Sequence, residues 1–390
     1  MNRPLRVVWI TFFPVEWLSE APEEIRSLPK GHPASWQRVL LREFQKDPAI
    51  ELHIFAIRRL FPRDVIFKSG NATFYCLKAP GSLRAPSLFW VDNWLLKRHI
   101  ENIQPDVVHA WGMEQAAGLV ASRLGFPYLV SMQGILSWLK GRVHLNRYEK
   151  FMAFLEGRVL PKVPKVTVEA GFAVDFLRGK WPSLQVQQIE HAPDPLFALK
   201  PRQNDPKKLR FLSIGGVNEL KGADLLFRSL AQLAPEIPFE LTAIGYSETP
   251  LYESLRRELP PSLFARVTFR QGLSPSDMAE EMSRATMLIY PTRGDTSPNA
   301  VKEAVVHGLP VVSARVGGIP EYLFPDENGV LVNAGDVDSL TAGIRHALQH
   351  ENFSKGRVDA ARLASVREYL SAETMARKFR AIYETACGGK

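Results

Sequence analysis

Short apolar runs alternate with amphipathic segments of helical length along almost the whole chain, and few architectures accept that order. In the first half the strand candidates are residues 6–11, 51–57, 106–110, 127–132, 165–169 and 186–191. Helix candidates fall between them, at 35–45, 88–102, 115–124, 147–159 and 173–180. Strands separated by helices read as a parallel sheet with helices on its faces. A polar stretch, Lys200-Pro201-Arg202-Gln203-Asn204-Asp205-Pro206-Lys207-Lys208, then interrupts the order and has the composition of a linker. Beyond it the pattern restarts, with strands at 210–214, 239–244, 266–269 and 286–290 and helices at 223–233, 251–258, 277–285, 339–349 and 372–386. The expectation is an α/β chain of two Rossmann-like parallel-sheet domains facing across a cleft. Their bounds are residues 1–195, a linker 196–209, residues 210–371, and a C-terminal helix over 372–390 that returns to the first domain.

A length of 390 residues supports the division, because single cores stop growing at about 250–300 residues. No apolar run approaches the roughly 20 residues of a membrane-spanning helix. The opening residues MNRPLRVVWITFFP enter a strand pattern without a small-residue cleavage site, so no signal peptide is expected and cytoplasmic residence is. Cys76 and Cys387 are far apart and offer neither a disulfide framework nor metal spacing. Of the net charge of +8, residues 1–195 carry +7. Such a basic half suits an anionic substrate or membrane surface. Nucleic acid is excluded, since no helix-turn-helix, zinc finger or aromatic-basic repeat accompanies the charge. The basic segment 137–165, interleaved with Trp138, Phe151 and Phe154, reads either as a core-packed helix with a solvated face or as a membrane-surface element.

Residues 285–321 carry the chemistry. An apolar strand stops at Pro291, a polar turn leads to Ser297-Pro298, a helix runs to about His307, and Gly308-Leu309-Pro310 ends it before another strand. A helix start offers free N–H groups and a positive dipole end, which hold anions. Asp295 lies just before that helix and Glu303 on its second turn. Carboxylates would repel a phosphate but accept from sugar or ribose hydroxyls, so the pairing points to a nucleotide-sugar.

This stretch resembles the nucleotide-sugar motif of retaining glycosyltransferases of the GT-B fold, specifically glycosyltransferase family four. The matching residues are Asp295, Glu303-Ala304 after seven intervening residues, Gly308-Leu309-Pro310-Val311-Val312, and Gly317-Gly318-Ile319-Pro320-Glu321. Asp295 stands where the family has glutamate. The resemblance spans nearly the whole chain and is strongest over 211–336. It implies that Asp295 faces the donor sugar and Glu303 the ribose. Thr296, Ser297 and Asn299 would then donate to phosphate and sugar.

Gly215-Gly216-Val217-Asn218-Glu219-Leu220-Lys221 follows a strand, and Lys221 sits at the mouth of the next helix. By position this reads equally as a pyrophosphate clamp and as a tight turn with a solvated lysine. The resemblance favours the clamp, although the family has an arginine where this chain has Gly216; Arg293 is the candidate replacement. Gly245-Tyr246 and Gln271-Gly272-Leu273 end strands where the family holds the nucleotide base. In the first half, Lys30-Gly31-His32-Pro33 corresponds to the family's glycine loop. His109 ends a strand and reads first as a buried, hydrogen-bonded histidine. Gln133 stands where relatives commonly carry histidine near the reacting sugar, and unlike histidine it cannot take a proton.

The implied activity is hexosyl transfer from a nucleoside-diphosphate sugar to an acceptor hydroxyl, with retained configuration. No cofactor or metal is implied. The implied partners are the donor, a glycan or lipid-linked sugar acceptor and an anionic membrane at its cytoplasmic face, in bacterial surface polysaccharide synthesis. A nucleotide-sugar-binding protein without turnover and a GT-B-fold nucleotide-sugar epimerase are the alternatives.

Overall fold

The computed structural model describes residues 3–31, 34–141, 145–246 and 249–387, which form two compact units. The first comprises residues 1–191 with 372–390, and the second residues 192–371.

The first unit is built on β1 (Leu5–Ile10), β2 (Ile50–Arg58), β3 (Val65–Ser69), β4 (Ala72–Lys78), β5 (Val107–Trp111), β6 (Tyr128–Ser131), β7 (Val166–Val168) and β8 (Val186–Gln188). Their order is β3-β4-β2-β1-β5-β6-β7-β8. All neighbours pair in parallel except β3, which joins β4 as an antiparallel hairpin. The sheet is therefore mixed, where the sequence predicted a purely parallel one. The alternating burial of β3 is that of an edge strand, and the apolar-run criterion passed it by. Helix Ala372–Cys387 packs on helix Ser35–Gln45 and buries Met375, Phe379, Ile382 and Tyr383.

The second unit carries β9 (Arg210–Ile214), β10 (Glu240–Ile244), β11 (Val267–Arg270), β12 (Met287–Tyr290), β13 (Val311–Ala314) and β14 (Gly329–Val332). They form an all-parallel sheet ordered β11-β10-β9-β12-β13-β14. The strand order reverses between β9 and β12, which creates a switch point where the following loops diverge. One core lies on each face, with Phe211, Phe227 and Leu230 on one and Leu288, Val301 and Leu309 on the other. Residues 196–209 are no free tether. Helix Leu196–Leu199 packs on helix Asn299–His307, and the Arg202 guanidinium donates to the carbonyls of Met282, Ala285 and Gly356. Among the described residues, no helix is long and apolar enough to cross a membrane.

Candidate functional site

The fully buried strand β12 delivers the chain to the switch point, where the loop 291–298 opens helix Asn299–His307. Pro298 is the N-cap, one residue later than Ser297-Pro298 suggested, and it makes no side-chain cap. The Val301 and Lys302 N–H groups turn back to the Pro298 carbonyl at 3.1 and 3.2 Å. The N–H groups of Asn299 and Ala300 have no hydrogen-bond partner among the described residues. Two aimed donors at a positive dipole end are what an anion needs. Ser297 is buried, its Oγ 3.4 Å from the Tyr322 hydroxyl, and the Thr296 carbonyl accepts from Gly318 N–H at 2.7 Å. A Cβ at Gly317 would lie 2.0 Å from the Asp295 carbonyl, so the glycine turn presses directly on the loop that carries Asp295.

Lys221 and Asp295 meet across the switch point, one following β9 and the other β12. Lys221 Nζ lies 2.6 Å from Asp295 Oδ2, and the Tyr290 hydroxyl donates to the same oxygen at 2.9 Å. Burial, and then the Asp295 charge, raise the Tyr290 pKa well above its usual value, so it remains a donor. Asn218 Oδ1 accepts from Lys221 N–H at 3.1 Å and shapes the turn beneath the lysine. Tyr290 escaped the sequence reading. It was counted as the last apolar residue of a strand, and only the fold turns its hydroxyl to Asp295.

Glu303 is half-buried and makes no hydrogen bond or ion pair among the described residues. Burial pushes its pKa up to about 8; Lys302 opposes the rise and nearby Asp194 adds to it. Asp194 was also missed, since only the packing of helix Leu196–Leu199 on helix Asn299–His307 brings the two acids together.

The other expected donor residues are placed differently. The N–H groups of Gly215 and Gly216 both donate to the Ile244 carbonyl, at 2.8 and 2.9 Å, so neither is left for a phosphate. Gly216 has φ +70°, and a Cβ there would lie 1.6 Å from the Tyr246 carbonyl oxygen. This turn cannot hold an arginine in its present conformation. Arg293 is engaged away from this turn: Nη1 donates to Asp224 Oδ1 and to the Glu219 carbonyl, and Nη2 to Asp224 Oδ2, each at 2.6 Å. Burial would raise the Asp224 pKa, but the Arg293 bonds and charge hold it below the usual value. Arg293 therefore ties its loop to helix Ala223–Leu233 and does not stand free beside Lys221. Gly245 and Tyr246 follow β10, and Gln271, Gly272 and Leu273 follow β11, all at the carboxyl edge; Tyr246 is 84% exposed.

In the first unit, His109 is wholly buried, with Nδ1 2.6 Å from the Tyr383 hydroxyl and Nε2 2.6 Å from Ser131 Oγ. Burial, and then His191, drive its pKa far down. His109 thus takes the buried, hydrogen-bonded place that the sequence reading put first, joining the sheet to the last helix. Gly31 is exposed, with its N–H 3.3 Å from Glu16 Oε1, while His32 and Pro33 lie outside the described residues. Gln133 lines a cavity of about 240 Å³ at the carboxyl ends of β1 and β5, again where strand order reverses. Trp36, Trp111, Gln37, Gln115 and Glu114 share its lining. Burial raises the Glu114 pKa, although Glu114 accepts from Gly134 N–H at 2.7 Å. Glu114 went unnoticed because its partner is twenty residues away.

Residues 208–350 match the family model described as glycosyl transferases group 1. The MMP alpha-(1->4)-mannosyltransferase of Mycolicibacterium hassiacum is 27% identical over 301 residues, covering 72% of this chain and 71% of the relative. The D-inositol 3-phosphate glycosyltransferase of Mycobacterium marinum is 28% identical over 180 residues, covering 45% and 38%. In fold, the chain matches sucrose-phosphate synthase from Thermosynechococcus elongatus with a TM-score of 0.79 at 17% identity, covering 99% and 100% of the two chains. Anabaena HepE, solved in complex with UDP and glucose, matches with a TM-score of 0.69 at 14% identity over 98% and 100%.

Proposed function

We propose that this chain, a glycosyltransferase of the GT-B type that belongs to glycosyl transferases group 1 through residues 208–350, takes a nucleoside-diphosphate sugar as donor and transfers the sugar with retention. One observation carries the reading: an uncapped helix start with two unpartnered N–H groups, preceded by the Lys221–Asp295 pair and followed one turn later by the unpartnered Glu303.

On this reading the diphosphate docks on the N–H groups of Asn299 and Ala300. Lys221 offsets the charge that builds on the leaving oxygen, and Asp295 holds the lysine in place. When the donor arrives, Asp295 also accepts from a sugar hydroxyl, and Glu303 accepts from the ribose. Departure and attack on one face preserve the configuration, with the leaving phosphate oxygen taking the acceptor's proton. Neither a carboxylate nucleophile nor a metal is required. The acceptor's sugar sits in the first unit's cavity. At about 240 Å³ it is below the ~300 Å³ of the smallest drug-sized pockets, so it suits one ring.

Binding without turnover is the second reading. It is favoured by the engagement of Arg293 with Asp224 and by Gly216, which leave the clamp fewer cations than relatives of this kind have. Calorimetric titration with UDP and GDP, together with donor hydrolysis and transfer assays, separates the two. Transfer that falls at least about a hundredfold in both Lys221→Ala and Glu303→Ala supports the first reading. Nucleotide binding with no hydrolysis or transfer supports the second, and wild-type rates in both variants remove these residues from the site.

A further inference from the structure

Helix Trp90–Ile103 is amphipathic in the wrong sense. Its sheet-facing side buries Asp92 and Asn93 together with Leu96 and Ile100. The polar pair needs dedicated partners there: Arg84 grips Asp92 at 2.8 and 2.9 Å, and Asn93 Nδ2 donates to the Val120 carbonyl at 2.9 Å. The outward side carries Trp90 and Trp94, 59% and 76% exposed, and then Lys97 and Arg98. The approach to the helix adds Leu83 and Leu88, 58% and 45% exposed. Leu88 and Phe89 have φ of +49° and +61°, a conformation that costs a non-glycine residue energy and here leaves Leu88 outside while Phe89 is buried.

The layer continues in the same manner. The crossovers β4 to β5, β5 to β6 and β6 to β7 all move in one direction across the sheet, so the right-handed rule puts their helices on one face. Helix Ala117–Ala121 touches both helix Trp90–Ile103 and helix Arg147–Val159. The latter buries Met152, Leu155 and Val159 and leaves Phe154 54% exposed. Basic groups accompany the exposed rings. Arg123 lies 4.4 Å from the Trp90 ring centre and Arg158 4.7 Å from that of Phe154, with Lys150 exposed on the same helix.

We propose that this helical face docks on an anionic lipid bilayer, with Trp90, Trp94, Leu88 and Phe154 entering the interface and Lys97, Arg98, Arg123, Lys150 and Arg158 meeting headgroup phosphates. Tryptophan belongs at the water–lipid boundary, and a rim of cations selects anionic leaflets. A protein partner would bury these rings only if it were acidic. A second copy of this basic half would bring like charges together. Within segment 137–165, helix Arg147–Val159 contributes only its outer edge, because its inner side is core.

Flotation of the whole chain with phosphatidylcholine vesicles, with and without about one third phosphatidylglycerol, tests the assignment. Binding is expected only to the anionic vesicles, and to weaken steeply with added salt. The W90A/W94A and K97E/R98E variants should each lose at least tenfold in partitioning while binding nucleotide as wild type does. That control belongs to the other unit and keeps this test separate from the donor reading. Undiminished partitioning in either variant overturns the proposal. So does absence of binding to both vesicle types, or a Trp94-dependent doubling of sedimenting mass without vesicle binding, which would make the face a homodimer contact.

Discussion

Placing at position 216 the arginine of the family motif that this turn resembles should damage the protein. The first carbon of any side chain at Gly216 would lie 1.6 Å from the Tyr246 carbonyl oxygen and 2.5 Å from its carbon. Contacts under 3.0 Å are essentially unknown for real Cβ atoms, so the 245–246 turn would have to retreat by about 1.4 Å. That turn is anchored by Gly245 N–H on the Arg270 carbonyl at 2.9 Å and by the two glycine N–H groups on Ile244. A non-glycine residue at φ +70° costs about 1–2 kcal/mol, and forced displacement of packed structure costs about 1–3 kcal/mol more. With a central value of about 3 kcal/mol and the ~2–4 °C per kcal/mol typical of a domain this size, Gly216→Arg should lower the unfolding temperature by about 6–12 °C. Gly216→Ala should cause most of that loss, because the clash is made at Cβ. Scanning calorimetry of both variants reads the effect, and titration with UDP should show no gain in affinity. An arginine variant that melts with the wild type and binds UDP more tightly would refute the reasoning, since the turn would then open freely and the clamp would lack only its cation.

Glu303, with its pKa near 8, is mostly protonated in the empty site at pH 6, so ribose hydroxyls that require the carboxylate should make uridine affinity rise nearly tenfold per pH unit from 6 towards 8 and level off above it. Glu303→Gln should flatten that profile in calorimetric titrations; a flat wild-type profile would detach Glu303 from the ribose. The same shift means that Glu303 subtracts stability as pH rises from about 4.5 to 8, because the folded state holds a proton that the unfolded chain has released. His307 acts in the opposite direction. Burial pushes its pKa down to about 4 while Nδ1–H donates to the Phe197 carbonyl at 2.8 Å, so stability should fall as pH drops from 6.5 to 4. The loss is about 3 kcal/mol at most, and urea denaturation at pH 7 and 4.5 should show it shrinking in His307→Asn. Arg293→Ala should cost about 1–3 kcal/mol of stability by leaving Asp224 with only the more distant Arg228, at 3.8 Å, yet weaken UDP binding only a few-fold. A loss matching that of Lys221→Ala would return Arg293 to the phosphate.

Helix 35–45, helix 147–159, strand 210–214 and helix 223–233 were legible to the residue, because each carries its own periodicity and punctuation. Strands β3, β4 and β14 and helix Ala360–Tyr369 were not: β3 is short and half-exposed, and that helix has almost no amphipathic contrast. Asp295, Glu303, Lys221 and the helix start between the two acids were singled out from local turns together with the family resemblance, since by position alone Lys221 read equally as a solvated lysine. Their partners were not. Tyr290 on Asp295, Asp224 on Arg293, Asp194 beside Glu303 and Glu114 under Gly134 are meetings of segments that only the sheets bring together. The same holds for His109, a residue type suited equally to catalysis and to a core, whose burial under Tyr383 links positions 274 residues apart. Local order and most helix ends were thus determined by the sequence itself, because they depend on neighbours within a few residues. Which charges are free and which are held was decided by tertiary structure, because a charge's partner is set by distance in space.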